Sequence, residues 1–563
     1  MDEATDTTPL QPQHEPQSGR VNSGGSFRTT FGTILTCIGC MVGTGNIWRF
    51  PRILANNSGD QGCLQFMLVW VVFLFIWSIP LILIEYGTGR YTKKATIGAF
   101  TELIGPKNGW AGAWVALVDF GISGYYCVIV GWCIYYLIFY IGHDLPESLT
   151  ASNQTFQDFA VDSDWPLLYH TVAIFLAGLT VLWGVKSIEV VCSVIVSIFL
   201  VLVVVCFIWS MTLPDAVSGV RFMFTPDWAQ FGNARMWVDA ISQNAFDTGA
   251  AAGLFVSYSA YMTADHGIVR YGNFIPIGNN LVSLICGMLT YATVFSTQMA
   301  ENRTQTEIVE LLKTNGPANT GLTFIWFPLL FEQIPGGRFF CIIFFIALMF
   351  AGLSSLLANI ELFVKILEDF GVKRKFATLL CSTALFLLGI GSAINLNFLI
   401  NQDFVWGFGL LISGLMFLYM VIRFGVRKFR RLMFNEYSNN DWHLYGIFDV
   451  LVLVVAPIEA VVLIIWWGVD TIQASLEPGA EPWYQFSPES FMATIVQWVG
   501  FLVILIAVNM IFVYCVAPRR EQKSLPVTQT HLYFNSREDR EPMDKVNSQA
   551  YNYSTFDTRE SST

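Results

Sequence analysis

The sequence predicts an all-α polytopic membrane protein of twelve transmembrane helices, and three observations lead there. Of its 563 residues 54% are hydrophobic and 13% charged, with a mean hydropathy of +0.52, a composition that no soluble domain of this size presents to water. Twelve apolar stretches of about 20 residues or more lie between two polar ends, the length a helix needs to cross hydrocarbon. Basic residues recur in alternate connections between those stretches, as the positive-inside rule requires of a chain that crosses repeatedly.

Taken in order, Met1 to Ser26 is rich in Pro, Gln, Ser and Thr and has no apolar core. Residues 1–26 are therefore expected to be a disordered tail, not a signal peptide. The membrane domain, 27–517, is expected to cross at Thr30 to Leu54, Cys63 to Tyr91, Trp110 to Gly142, Trp165 to Gly184, Ile188 to Met211 and Trp237 to Met262. It continues from Ile275 to Met299, Arg338 to Phe370, Phe376 to Ile394, Phe398 to Phe424, His443 to Val469 and Phe491 to Ala517. From 518 to 563 the chain is polar again and reads as a second disordered tail. Its tyrosines, Tyr533, Tyr551 and Tyr553, carry no signal beyond exposure.

Arg90, Lys93, Lys94 and Lys107, then Lys373, Arg374 and Lys375, then Arg427, Lys428, Arg430 and Arg431, then Arg519 and Arg520 mark the cytoplasmic connections. Both tails are then cytoplasmic, and the plasma membrane is the expected location. Ala151 to Asp164 and Thr471 to Glu489 contain no Lys or Arg and fall outside. Sequons at Asn153 and Asn302 share that outer side and are candidate glycosylation sites.

Two spans are interrupted. Gly39-Cys-Met-Val-Gly-Thr-Gly-Asn-Ile-Trp-Arg-Phe-Pro51 places three glycines, an asparagine, an arginine and a proline inside the first span. Glycine costs about 1 kcal/mol in a helix interior and proline about 3, and hydrocarbon offers no water to the released backbone groups. Either the break lines a protein cavity that uses those groups, or Gly39 and Gly43 serve close helix packing through their small-xxx-small spacing. The sixth span, Gln243-Asn-Ala-Phe-Asp-Thr-Gly-Ala-Ala-Ala-Gly-Leu254, carries an aspartate and two glycines at the same depth. Matching breaks in the first and sixth spans predict an inverted repeat, 30–211 and 237–425, with 443–517 outside it and a transport site between the broken helices.

Other functions find little support. The net charge of −11 and the lack of a basic patch with interleaved aromatics argue against nucleic acid. The six histidines form no cluster, and the eleven cysteines read as small apolar packers rather than a transition-metal site. No phosphate-binding loop is present, so an ion gradient is the expected energy source. No nucleophile with a partnering base is visible, and an enzyme is not expected. Small-molecule solute and membrane lipids are the expected partners.

The stretches Gly45-Asn-Ile-Trp-Arg-Phe-Pro51, Ile79-Pro-Leu-Ile-Leu-Ile-Glu85 with Gly89-Arg90, and Phe350-Ala-Gly-Leu-Ser-Ser355 resemble the neurotransmitter:sodium symporter family, which has the LeuT fold. The resemblance runs from Phe27 to about Phe424 and weakens in the last two spans. It implies Na+ as the coupled ion. One sodium site would take Gly39 and Val42 carbonyls, the Ala351 carbonyl and the Ser354 and Ser355 hydroxyls, uncharged oxygen dipoles suited to a hard cation. The bland alternative for the serine pair is a bond back to its own preceding turn. The other site would take the Met41 carbonyl with Asn46, Asn279 and Asp247.

Asp247 departs from the family, whose members usually carry Thr or Ser there and often complete a chloride site beside it. Ser283 and Gln243 keep two of those anion groups, but Trp70 stands where a tyrosine is expected. The carboxylate can supply the negative charge itself, so transport is expected not to require chloride. Monoamine carriers of the family place an aspartate at the position of Gly43. Glycine leaves the amides of Thr44 and Gly45, with the Tyr126 hydroxyl, to hold a carboxylate, which implies an amino acid of the amino-acid-transporting branch.

The remaining walls implied are Ile122, Phe246, Gly249, Ala252 and Asn359, with Met41, Asp247 and Ser355 shared with the ions. They suggest a roomy cavity for a neutral solute of medium or large side chain. The alternatives are an amine or osmolyte carrier, separable by competition assays, and a sensor that binds without translocating, separable by a flux assay. Arg49 and Asp403 resemble the outer gate pair, above a lid of Tyr126 and Phe246. Asp369 and Tyr261 resemble the cytoplasmic gate, for which the family's arginine is missing and Arg28 or Arg20 is the expected replacement.

Overall fold

The computed structural model describes residues 25–313, 320–476 and 482–516. Nearly all of both predicted tails, with Arg20 and the tail tyrosines, lies outside them. The chain forms two compact units, Met1–Ile506 and Ala507–Thr563. Of the second, Ala507–Val516 is described and is helical.

Among the described residues the structure is helical with no strand, and each of the twelve predicted spans has a counterpart. The first is a bent pair, α1 (Thr30–Met41) and α2 (Gly45–Asn56), at 57° to each other. Then follow α3 (Leu64–Thr92), α4 (Pro106–Gly142), α5 (Trp165–Leu182) and α6 (Val185–Ser210). The sixth span is split into α7 (Ala234–Thr248) and α8 (Leu254–Ser259). The series closes with α9 (Ile268–Ala300), α10 (Gly337–Asp369), α11 (Arg374–Ile394), α12 (Leu396–Phe424), α13 (Ile447–Ala474) and α14 (Phe491–Val516). α9 begins seven residues before the predicted Ile275, because its helix runs through Pro276 instead of starting beside it.

Local sequence explains several irregularities. Wide π turns at Gly45–Arg49, Leu74–Ser78, Leu322–Trp326 and Leu451–Val455 each end two residues before a proline, at Pro51, Pro80, Pro328 and Pro457. A proline ring clashes with the carbonyl one turn back and lacks an N–H, so the turn ahead of it widens. The start of α1 is capped by the Thr29 hydroxyl, which accepts from Gly32 N at 2.9 Å. Glu189 of α6 fixes that start by accepting from the amides of Arg28 and Thr29, at 2.8 and 2.9 Å.

The layers separate by burial. In the apolar window of α4 83% of residues are buried, against 28% in α6, which places α4 at the centre and α6 at the rim. Val190, Val194, Val201 and Ile208 of α6 recur at helical spacing and are exposed, as a lipid-facing stripe requires. Ten of the eleven cysteines are buried and all are free. Cys37 and Cys40 have Cys-x-x-Cys spacing, yet among the described residues no group of three His, Cys, Asp or Glu side chains is placed to hold a metal.

α3 and α8 meet closely at Gly89, where a Cβ would stand 1.9 Å from the Val256 carbonyl oxygen and 2.3 Å from Ser259 Oγ. A backbone carbonyl cannot swing aside, so Gly89→Ala is expected to destabilise by about 1–3 kcal/mol. The measurement is the thermal midpoint in detergent. Gly142→Ala, which meets nothing within 4 Å, is the control expected to leave that midpoint unmoved.

Candidate functional site

The first break is shorter than the sequence suggests. α1 stays helical through Gly39 and Met41, and only Val42 and Gly43 leave it. Gly39 serves packing, since a Cβ there would lie 2.6 Å from Val196 Cγ2. Gly43 opens the chain: its amide donates to Asn46 Oδ1 at 2.8 Å, and the Thr44 amide donates to the Tyr126 hydroxyl at 3.4 Å. A Cβ on Gly43 would stand 2.8 Å from both Ser355 Oγ and Tyr126 Oη, so a larger side chain must displace one of them.

The second break, 249 to 253, has left-handed backbone at Gly249 (φ 63°), Ala251 (φ 72°) and Gly253 (φ 85°). Ala251 is strained, because its Cβ crowds the carbonyl in that region. Glu85 of α3 holds the segment, accepting from Ala251 N at 2.7 Å and Phe255 N at 3.1 Å. The two breaks face each other: a Cβ on Gly45 would meet Phe246 Cε1 at 3.0 Å and Asp247 Oδ1 at 3.5 Å.

Around Asp247 the contacts form a chain. Gln243 Nε2 donates to Oδ1 at 2.8 Å and Ser283 Oγ donates to Oδ2 at 3.0 Å. Asn46 Nδ2 donates onward to Ser283 Oγ at 2.7 Å and to Asn279 Oδ1 at 2.9 Å. The two side chains that would complete an anion site in relatives thus hold this carboxylate. Trp70 packs against Phe50, the ring centroids 4.6 Å apart and the planes tilted by 41°, and accepts through its carbonyl from Asn244 Nδ2.

At the other expected ion set, the serine pair divides. Ser354 Oγ donates back to the Ala351 carbonyl at 2.9 Å, the ordinary helical bond. Ser355 Oγ reaches across to the Gly39 carbonyl at 3.2 Å and also back to the Ala351 carbonyl at 3.4 Å. Val42 ends the helix at the same place, with ψ 97°.

One cavity of ≈ 60 Å³ lies between the breaks, lined by ten of the eleven side chains expected to contact solute, Thr44 being the exception. At about 10–15 Å³ for each water-sized group, it has room for about four to six. That is smaller than the roomy cavity expected. Gly249 leaves space of about a methyl group, since a Cβ there would stand at an ordinary 3.7 Å from Leu254 Cδ1. Asp119 of α4, not anticipated from the sequence, also lines this cavity.

The gates differ from expectation. Arg49 and Asp403 are both nearly buried, yet among the described residues no ion pair joins them, and Arg49 Nε and Nη1 and Asp403 Oδ1 lack hydrogen-bond partners. The Arg49 guanidinium instead lies 4.2 Å above the Phe246 ring, a cation–π contact. On the inner side Arg28 engages through its backbone amide alone among the described contacts. Asp369 pairs with Lys365 at 2.6 Å and accepts from Ala95 N at 2.7 Å.

The arginine of that region is Arg374, at the start of α11. It pairs with the fully buried Glu361, reaches Glu368 at 3.3 Å and donates to the Val181 carbonyl at 2.7 Å. The Tyr261 hydroxyl donates to Glu361 at 2.6 Å, which joins the segment after α8 to α10 and α11. The signal in the sequence was an acid inside α10 four turns from a basic connection.

Two broken helices facing each other across a cavity lined by apolar and oxygen-bearing side chains, inside a bundle of twelve spans, define an ion-coupled membrane transporter of the LeuT fold. Residues 25–162 and 155–521 match the model of the Sodium:neurotransmitter symporter family, and the chain belongs to that family. A sodium-dependent transporter of Methanocaldococcus jannaschii is 29% identical over 375 residues, covering 64% of this chain and 73% of that protein. The sodium-dependent neutral amino acid transporter B(0)AT1 of Rattus norvegicus is 23% identical over 561 residues, covering 84% and 87%. The crystal structure of MhsT in complex with L-phenylalanine superposes with a TM-score of 0.68 at 25% identity, over 78% of this chain and 99% of that one.

Removing Arg374 would leave Glu361 buried and unpaired. Arg374→Ala is therefore expected to destabilise by roughly 3–5 kcal/mol, and adding Glu361→Ala to recover part of that loss. Thermal unfolding of the two single variants and the double variant checks the coupling.

Proposed function

We propose that the protein is a sodium-coupled symporter of a neutral amino acid, independent of chloride and working by alternating access. The observation that carries this reading is the hydrogen-bonded carboxylate of Asp247, held by Gln243 and Ser283 beside Asn46 and Asn279. A fixed negative charge at that point offsets a sodium ion without a bound anion. Asn46 Oδ1, which accepts from Gly43 N, has a second lone pair for a cation. Met41 would complete this first set. Gly39, Val42, Ala351, Ser354 and Ser355 would hold a second ion, with Ser355 already bridging α10 to the Gly39 carbonyl.

The solute carboxylate would sit at the amides of Thr44 and Gly45 and the Tyr126 hydroxyl, and its side chain among Ile122, Phe246, Gly249, Ala252 and Asn359. A side chain of medium size enters only as the cavity widens. Relatives that carry neutral amino acids or bind L-phenylalanine support the class of solute. Arg49 with Asp403 would close the outer side, and the Tyr261, Glu361 and Arg374 set with Asp369 the inner. Both termini would be cytoplasmic, in the plasma membrane. Asn153 and Asn302, both exposed, would be glycosylated outside.

Coupling follows from shared ligands, since ions and solute stabilise the same closed arrangement. A tenfold sodium gradient supplies about 1.4 kcal/mol and 60 mV another ~1.4 per charge. Two ions then sustain a solute ratio on the order of ten-thousandfold.

The test is uptake of an equimolar mixture of radiolabelled neutral L-amino acids into proteoliposomes. Accumulation is expected with sodium, lost when choline replaces it, and kept when gluconate replaces chloride. Asp247→Ser is expected to cut uptake in gluconate at least tenfold and to regain part of it in chloride. Loss of wild-type uptake in gluconate overturns the chloride reading, and binding without accumulation overturns transport.

A further inference from the structure

One group in the cavity has no part in that mechanism. Asp119 lies on α4 in line with Ile122 and Tyr126, at spacings of three and four residues that put all three on one helical face. Seven residues separate it from Tyr126, about 10.5 Å along the axis, so it marks the end of the cavity away from the proposed carboxylate position. It is 1% exposed. Its hydrogen bond among the described contacts comes from Ser123 Oγ at 3.5 Å, the outer limit of such a bond.

Among the described residues no positive group lines its cavity. The cavity presents Cys40 from α1, Leu254 from α8, Asn359 from α10 and Leu410 from α12, and no Lys, Arg or His lines it. The ionisable groups near Asp119 are Cys40 and Glu85 of α3. Glu85 is an acid whose two oxygens are engaged by the amides of the second break. The proposed sodium ligands come from α1, the first break, α2, α7, α9 and α10, and α4 supplies none, so sodium leaves this charge uncompensated. A lone carboxylate at mid-membrane is costly, about 2.5–3.5 kcal/mol even on insertion scales.

The cavity must therefore acquire one further positive charge when it closes. A basic solute side chain could bring it, but the solute proposed above is neutral. A proton needs no room. We propose that Asp119 is a proton-binding site of the transport cycle, loaded together with sodium and solute and emptied on the opposite side. The step is Asp119–COO⁻ + H⁺ → Asp119–COOH, with no other bond or electron moved. The proposal rests on the symport reading above.

The sign follows. The protonated form closes, so acid on the loading side favours uptake, and uptake falls as pH there rises through the range in which the carboxyl gives up its proton. One proton per cycle changes apparent solute affinity by up to about tenfold per pH unit. A proton competing with sodium at Asp247 would give the opposite sign.

The experiment uses proteoliposomes of the full chain with a pH dye in the lumen, membrane potential clamped with potassium and valinomycin, and the same radiolabelled amino acid mixture. Sodium-dependent uptake in wild type is expected to acidify the lumen with about one proton per solute. The ratio should fall at least fivefold in Asp119→Asn and stay near the wild-type value in Asp119→Glu. If Asp119→Asn carries no solute, a normal ratio in Asp119→Glu still supports the site, because only a carboxyl works there. A wild-type ratio near zero, an undiminished ratio in Asp119→Asn, or loss of transport in both variants overturns the proposal. Absence of any sodium-dependent uptake in wild type sinks the symport reading instead, and the radiolabel tells the two failures apart.

Discussion

A helix that stops inside the bilayer leaves amides and carbonyls that only protein can satisfy, and two such stops set the arrangement of everything around them. The Glu85 carboxylate is the main answer at the second stop, where it takes two amides across a segment whose backbone turns left-handed three times. Asn46 and Tyr126 answer at the first. Each of these partners comes from beyond the broken segment itself or from its far side, so the breaks hold their shape only within the assembled bundle. Gly89 lets α3 approach closely enough for Glu85, one turn earlier on the same face, to reach the second break.

Charge is distributed unevenly about this centre. On the predicted cytoplasmic side, Arg374, Glu361 and Tyr261, with Lys365 and Asp369, join several elements by short ionic and hydrogen-bonded contacts. On the predicted outer side Arg49 rests on an aromatic ring and Asp403 lacks an ionic partner among the described residues. The inner gate residues are thus held by ionic contacts, and Arg49 of the outer pair by a cation–π contact.

Much was legible beforehand because membrane crossing is a severe filter on sequence. Length and apolarity mark spans with little ambiguity, and polar or glycine-rich interruptions at mid-depth stand out against them. Asp247 was visible for this reason. Glu361 and Asp119 were visible in principle, as acids inside α10 and α4, but nothing in the linear order says which basic group, if any, an acid will meet. Arg374 follows Asp369 by five residues yet pairs with Glu361, and Asp369 takes Lys365, because helical periodicity and the turn into α11 decide who is opposite whom.

By itself the sequence determined the twelve crossings, the depth of both interruptions and the chemical types gathered near them, since these follow from hydrophobicity, backbone propensity and spacing along one chain. Tertiary structure alone decided the extent of the first break, the division of labour between Ser354 and Ser355, the volume of the cavity and the partners of every buried charge. Those depend on which surfaces of separate helices come within hydrogen-bonding distance, a relation between residues up to hundreds of positions apart that no local pattern encodes.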